Sequence, residues 1–466
     1  MNQSFFLRIL AVMTLVAWPV FGVRAGMDLP VSELSLSNGM TVLAVERPDA
    51  PVIAFALYYR VGSVDETPGK TGIAHYCEHM MFKSTDHLKG EAFAQLMGTI
   101  GGGLSNANTS FDRTCYYETV APDRLEFVIR LEAERMAHLH PTIEESLSEL
   151  EVVKEELRQG YIDNPSGRIR FDLYQQAFEH HPYKTLTIGH LTDVASITYD
   201  DLMAFQRRFY VPVNAVAVVV GRFDTKHLLH LMETHFGSVP GGAPVVRRFP
   251  AEPSQSVERR FELDMPVQHG MLWTGYHVPE AAHRDNLVLR VLSTVLSRGG
   301  SSPLGRLSQG RNPVAMTAYS WVRESMEPGL MIITGIPMPG IDPEILEDRI
   351  DEEIQRIQQD GITEDQLVTA RTQLLAQEVY LMQSCMGIAM RLGEAEMVST
   401  WRDALTLADD LASITRNEIR DAARKYLVTT NRTVGIARVP TPAPIPGEDA
   451  VPLEKNERNA HAEESE

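Results

Sequence analysis

His75, Glu78 and His79 lie within one short run, Gly72-Ile73-Ala74-His75-Tyr76-Cys77-Glu78-His79-Met80-Met81-Phe82. On a helix, His75 and His79 are i and i+4 and stand one above the other on one face. Two imidazoles so placed can hold one zinc ion. Glu78, beside the second, is placed to act as general base on a water at such a metal. The order is H-x-x-E-H, the reverse of the commoner H-E-x-x-H. Without a metal, the same residues would be a solvated helix face. Zinc catalysis takes three protein ligands and one open position, so a carboxylate must come from another element. Residues 144–160 read as a helix rich in acids, with Leu147, Leu150, Val153 and Leu157 as its expected core stripe. Glu149 and Glu156 are two turns apart and share a face. Glu151 and Glu155 read as solvent-facing charge.

These residues need a frame. Thr41–Glu46, Ile53–Arg60 and Arg113–Val120 have the composition of strands. Residues 122–138 read as a helix with Leu125, Val128, Ile129 and Met136 inward. An internal repeat sets the larger organisation. Asp193-Val-Ala-Ser-Ile-Thr198 recurs as Asp410-Leu-Ala-Ser-Ile-Thr415, an offset of 217 residues that still matches Arg207 to Arg424, Phe209 to Tyr426 and Asn214 to Asn431. In each copy Thr198 or Thr415 caps a helix, with Asp201 or Glu418 as the reciprocal acid. A β-rich segment follows, residues 215–220 or 433–437. Two homologous domains are therefore predicted, 27–240 and 256–438, joined by a Pro/Gly-rich linker over 241–255. Each is expected to be a mostly antiparallel sheet with helices packed against it, an α+β fold. Leu292, Val295 and Leu296 stand at the offset positions of His75, Glu78 and His79, so the second domain carries no metal site.

Composition narrows the rest. The 466 residues carry 43 lysines and arginines against 62 aspartates and glutamates, a net charge of −19. That charge repels phosphates, which excludes general nucleic-acid binding and polybasic membrane attachment. Three cysteines exclude a disulfide-stapled scaffold and a four-cysteine zinc site. Residues 1–25 read as a secretory signal: Arg8, an apolar run from Ile9 to Val23, then Val23-Arg24-Ala25. No later run has the length of a membrane span, so the mature chain is expected in the periplasm of a Gram-negative cell without a stable span. The sequence leaves the pairing of Cys77, Cys115 and Cys385 open, Cys77–Cys115 being one option. Residues 439–466 read as a disordered tail, proline-rich to 447 and then with seven acids to two bases.

The segment His75–Phe82 with Lys83 and Thr85 resembles the active-site helix of the pitrilysin/insulinase family of zinc peptidases. The resemblance continues in Ser105-Asn106-Ala107-Asn108-Thr109, in Thr114 with Tyr116-Tyr117, and in Glu149 through Glu156. The chain's length resembles the short, mitochondrial-processing-peptidase-like branch. The resemblance implies one zinc on His75, His79 and Glu156, supported by Glu149, with Glu78 as the base. It implies that peptide substrate is added as a strand along Ser105–Thr109, inside a chamber between two such chains. Active relatives also carry an Arg-x6-Tyr pair in the second half, which grips substrate. Aligned on Leu304 and Leu307, that pair falls here on Ser308 and Ala315, with Arg311 and Tyr319 nearby but out of register. The expectation is a zinc metalloendopeptidase that works as the metal-bearing half of a heterodimer, a homologous subunit supplying the arginine and tyrosine. A homodimer using Arg311 and Tyr319 is the other arrangement. The alternative function is that of relatives that have lost catalysis and serve as structural or substrate-binding subunits.

Overall fold

The computed structural model describes residues 29–99, 104–263 and 265–439. The expected leader, and the tail beyond Val439, lie outside the described residues. Six strands form the first sheet: β1 (Val31–Ser35), β2 (Thr41–Glu46), β3 (Ile53–Tyr59), β4 (Leu104–Thr109), β5 (Thr114–Val120) and β6 (Ala215–Gly221). Five form the second: β7 (Arg259–Leu263), β8 (Met271–Val278), β9 (Ala315–Val322), β10 (Gly329–Pro337) and β11 (Arg432–Ala437). Their orders are β1-β2-β6-β3-β5-β4 and β7-β11-β8-β10-β9. Only β2–β6 and β7–β11 are parallel among these pairs; the rest are antiparallel. With helices on the sheets, this is the expected α+β fold.

The repeat is structural as well as sequential. Ala54 pairs with Val220, and the residues 217 further on, Met271 and Ala437, pair with each other. Asn214 Nδ2 donates to the carbonyls of Arg60 and Phe209; Asn431 Nδ2 donates to those of His277 and Tyr426, the same three positions shifted. Both capping boxes form, at Thr198/Asp201 and Thr415/Glu418.

β3 and β6 are buried along their whole length. Side chains alternate across a strand, so Phe55 and Leu57 enter one core while Ala54, Ala56 and Tyr58 enter another on the opposite face. The second of these cores is closed by a helix from the other half of the chain, Cys385–Val398. Gly393 lies so near Tyr58 that a Cβ there would meet its ring at 2.0 Å. The exchange is mutual: the helix Pro165–Ala177 packs against β8 and β11 of the second sheet. Arg60–Glu396 and Arg113–Glu394 ion pairs hold the first of these helices in place.

Several details differ from the sequence reading. The expected helix over 122–138 begins with a 3-10 turn, Pro122–Arg124, and becomes α-helical at Leu125. The acid-rich helix spans Ile143–Leu157 and runs into a π-turn at Arg158–Ile162. Leu147 is 60% exposed, not core. Ser146 takes the inward position instead, because the Tyr76 hydroxyl donates to its carbonyl oxygen at 2.6 Å and meets its hydroxyl. The three cysteines are free thiols. Cys77 and Cys115 cannot pair, since they belong to cores on opposite faces of the first sheet.

Candidate metal centre

The motif helix spans Ile73–Met80. Ile73, Tyr76, Cys77 and Met80 form its buried i, i+3, i+4, i+7 stripe, which turns His75 and His79 to the other side. Glu66 fixes the helix start: its two carboxylate oxygens accept from the backbone N–H groups of Gly72 and Ala74, both at 2.9 Å. Burial pushes the Glu66 carboxyl well above the ordinary range, opposed by these two N–H groups, and its oxygens satisfy two of the free helix donors. Gly72 has φ of 90°, and a Cβ on it would meet the Ile188 carbonyl oxygen at 2.8 Å. Only glycine fits both demands.

The Ile143–Leu157 helix faces this one, tied to it by the Tyr76–Ser146 contact. Its start is pinned by a Thr142/Glu145 capping box, and Ser84 Oγ donates to Glu145 at 2.7 Å. Glu156 Oε2 then lies 3.5 Å from His79 Nε2 and 3.8 Å from His75 Nε2. All three donor atoms lie within 4.8 Å of one another. Donors about 2.1 Å from a tetrahedral zinc stand roughly 3.4 Å apart, so two nitrogens and a carboxylate at this spacing fit zinc with little movement. Glu151 and Glu155 are exposed and pair with Lys154 and Arg158.

The protonation states suit the same ion. Burial, with repulsion from His79, pulls His75 down to about 3, so its imidazole is neutral. Glu149 Oε1 lies 2.8 Å from His79 Nδ1, and Glu149 Oε2 lies 2.8 Å from Lys83 Nζ. These contacts, the His79 bond foremost, bring Glu149 down to about 2. An ionised carboxylate can only accept, so Nδ1 carries the proton; burial lowers His79 but the Glu149 bond and the nearby Glu156 and Glu78 raise it overall, so an arriving metal displaces a proton from Nε2, the atom that faces Glu156. Glu78 is 8% exposed; burial raises its carboxyl above the ordinary range despite the Thr109 hydroxyl, which donates to Oε2 at 2.6 Å. A raised carboxyl is suited to taking and returning a proton.

Residues matched by a model of the insulinase family, peptidase family M16, run from 41 to 190, and those matched by a model of the peptidase M16 inactive domain run from 196 to 374. The chain belongs to peptidase family M16. A zinc protease of Helicobacter pylori, PqqE, is 32% identical over 73% of this chain and 77% of its own. An uncharacterized zinc protease of Mycobacterium leprae is 27% identical over 80% of this chain and 84% of its own. The crystal structure of a protease from Helicobacter pylori matches with a TM-score of 0.83 at 27% identity, over 88% of this chain and 99% of that one. The first half of the periplasmic protease PqqL from Escherichia coli shares the fold, with a TM-score of 0.72 at 18% identity over 88% and 92%. This M16 chain is thus of the short bacterial kind and covers 48% of full-length PqqL.

Within this frame, β4 carries Ser105, Asn106, Ala107, Asn108 and Thr109 at the sheet's end, paired to β5 alone among the described strands. Thr109 belongs to Glu78 as much as to that edge. Sequence reasoning missed the parts played by Glu66, Ser146 and Lys83. Lys83 had a signal, standing four residues after His79. Glu66 had none, because its reach to Gly72 depends on the loop between them. In the second half Ser308 follows a short helix, Ala315 is buried at the start of β9, and Tyr319 is 46% exposed, stacked on Trp321. Among the described residues, no helix is long and apolar enough to cross a membrane.

Proposed function

We propose that this chain is a zinc metalloendopeptidase that cleaves peptides or unfolded polypeptides, with zinc held by His75, His79 and Glu156. The observation that carries this is the convergence of His75 Nε2, His79 Nε2 and Glu156 Oε2 beside a buried Glu78. Bound there, zinc supplies Lewis acidity that makes water a nucleophile near neutral pH. Glu78 receives the proton of the attacking water and passes it to the leaving amine. Thr109 holds one Glu78 oxygen, so the carboxylate keeps one orientation through both transfers. Glu149 keeps His79 in the ligating tautomer. Substrate adds as a strand along Ser105–Thr109, where main-chain bonding fixes its register whatever its side chains.

The leader-like residues 1–25 support export to the periplasm. With Ser308 and Ala315 in place of the substrate-gripping pair, this chain works as the metal-bearing subunit of a chamber completed by a homologous partner. The test separates base from ligand. Glu78→Gln retains zinc and loses peptide hydrolysis; His79→Ala loses both. Wild-type cleavage by Glu78→Gln removes Glu78 from its role, whereas a zinc-loaded wild-type chain that cleaves nothing, alone or with a homologous partner, returns it to the non-catalytic reading.

A further inference from the structure

A second group of metal-ligating side chains lies outside the centre described above. Glu134 and His138 are i and i+4 near the end of the Leu125–His138 helix and so share a face. His87 comes from the loop that follows the motif helix. One donor atom from each lies within 4.8 Å of the other two. His87 Nδ1 is 3.0 Å from both Glu134 oxygens. The His87 and His138 rings meet edge to face, centroids 5.1 Å apart at 78°. His75 and His79 meet in the same way, at 4.7 Å and 75°. Asp86 lies beside the group, 3.3 Å from His138 Nδ1 and 2.8 Å from His140 Nδ1.

The backbone holds this cluster in position. Thr85 and Leu139 form an isolated antiparallel bridge. Asp86 N–H donates to the His138 carbonyl and His140 N–H to the Ser84 carbonyl, both at 2.9 Å. Thr85 Oγ1 donates to Glu134 Oε1 at 2.5 Å, which fixes the carboxylate between loop and helix. The loop side and the helix side therefore present their donors without rearrangement of the main chain. Two imidazoles and a carboxylate are borderline ligands, suited to zinc and its neighbours rather than to calcium or magnesium. With neutral imidazoles, Glu134 and Asp86 give the patch two negative charges, which favour a divalent cation.

We propose that His87, Glu134 and His138 form a second zinc site on the surface, with Asp86 and His140 at its margin. His87 and His138 are 68% and 45% exposed, so the ion keeps open positions for water. Its occupancy ties the loop after Lys83 to the Leu125–His138 helix, and it raises the melting temperature by mass action.

The test is zinc titration by calorimetry into the full chain already holding one zinc. Wild type takes up one further zinc per chain. His87→Ala and His138→Ala, whose exposed side chains are dispensable for folding, lose that event, while Glu155→Gln retains it. Thermal melting shows the same pattern: added zinc raises the wild-type midpoint and leaves those of the two alanine variants unchanged. No further uptake by wild type, or equal uptake by the His87→Ala/His138→Ala double variant, overturns the proposal. The catalytic reading is untouched by that result, because Glu78→Gln tests it separately.

Discussion

Glu149 Oε1 stands 2.8 Å from Nδ1 of His79, while the same carboxylate's Oε2 stands 2.8 Å from Lys83 Nζ. A single side chain thereby sets the tautomer of one imidazole and neutralises an ammonium one turn beyond it. Glu149 is seven residues before Glu156 on the same helix face, so the two carboxylates reach the two nitrogens of one ring.

Glu149→Gln is expected to weaken zinc binding about 10–100-fold, the usual cost of losing such an outer partner. Zinc content at saturation stays at the wild-type level. Competition against a chelator of known affinity measures it. An unchanged affinity means that packing alone orients His79.

Glu156 and Glu155 are neighbours that point different ways. Glu156 Oε2 lies within 3.8 Å of both imidazoles, whereas Glu155 turns to Arg158 and Gln159. Glu156→Gln is therefore expected to lose most bound zinc, and Glu155→Gln none. Metal analysis of the two purified proteins decides it; equal zinc in both assigns the third ligand to another residue.

Beneath the motif helix, Arg135 is fully buried between Glu118 and Glu132. Its guanidinium stacks 4.2 Å from the Tyr116 ring centroid, 4.6 Å from that of Phe93 and 5.3 Å from that of Phe82, two residues past the motif helix. Two carboxylates share one cation. Burial, reinforced by Glu132 and opposed by Arg135, pushes Glu118 well above the ordinary carboxyl range. Its unfolded pKa is about 4.3. The stability it contributes is full below that value and is lost as pH rises toward the folded pKa. Glu118→Gln removes this loss, so its stability relative to wild type grows above about pH 4.3, by up to about 1.4 kcal/mol per pH unit. Urea unfolding of both proteins across pH measures the slope. Arg135→Met leaves the carboxylates without their cation and costs about 3–5 kcal/mol.

Much of this was legible in the residues. The spacing of His75, His79, Glu149 and Glu156 rests on local helical geometry, which sequence states directly through i, i+4 and i, i+7 positions. The repeat was legible for the same reason, since Thr198 and Thr415 start their helices with side chains three residues away. What sequence concealed depends on contacts between distant segments. Leu147 has the right type for a core stripe and loses the position to Ser146 through a hydroxyl on another helix. Likewise nothing local announces that Cys385–Val398 covers the first sheet and Pro165–Ala177 the second. Each helix is apolar enough to be buried, but the choice of sheet is made by tertiary packing.

Ser308 and Ala315 stand where the family resemblance places an arginine and a tyrosine. Ala315 is 1% exposed and Ser308 lies in the turn after Pro303–Arg306, so neither position offers a guanidinium or a phenol. Arg311 is exposed in the loop before β9, and Tyr319 lies flat against Trp321 with ring centroids 5.6 Å apart and planes 26° off parallel. Any movement of Tyr319 out of that stack gives up about 0.5–1.5 kcal/mol. A homologous partner carrying Arg-x6-Tyr in register needs no such change. The purified chain is therefore expected to bind zinc yet cleave an unstructured peptide poorly, and to gain activity when the partner is added. Tyr319→Phe and Arg311→Ala should leave the activity of the mixture nearly unchanged. Full cleavage by this chain alone, abolished by either substitution, would instead establish a homodimer built on Arg311 and Tyr319.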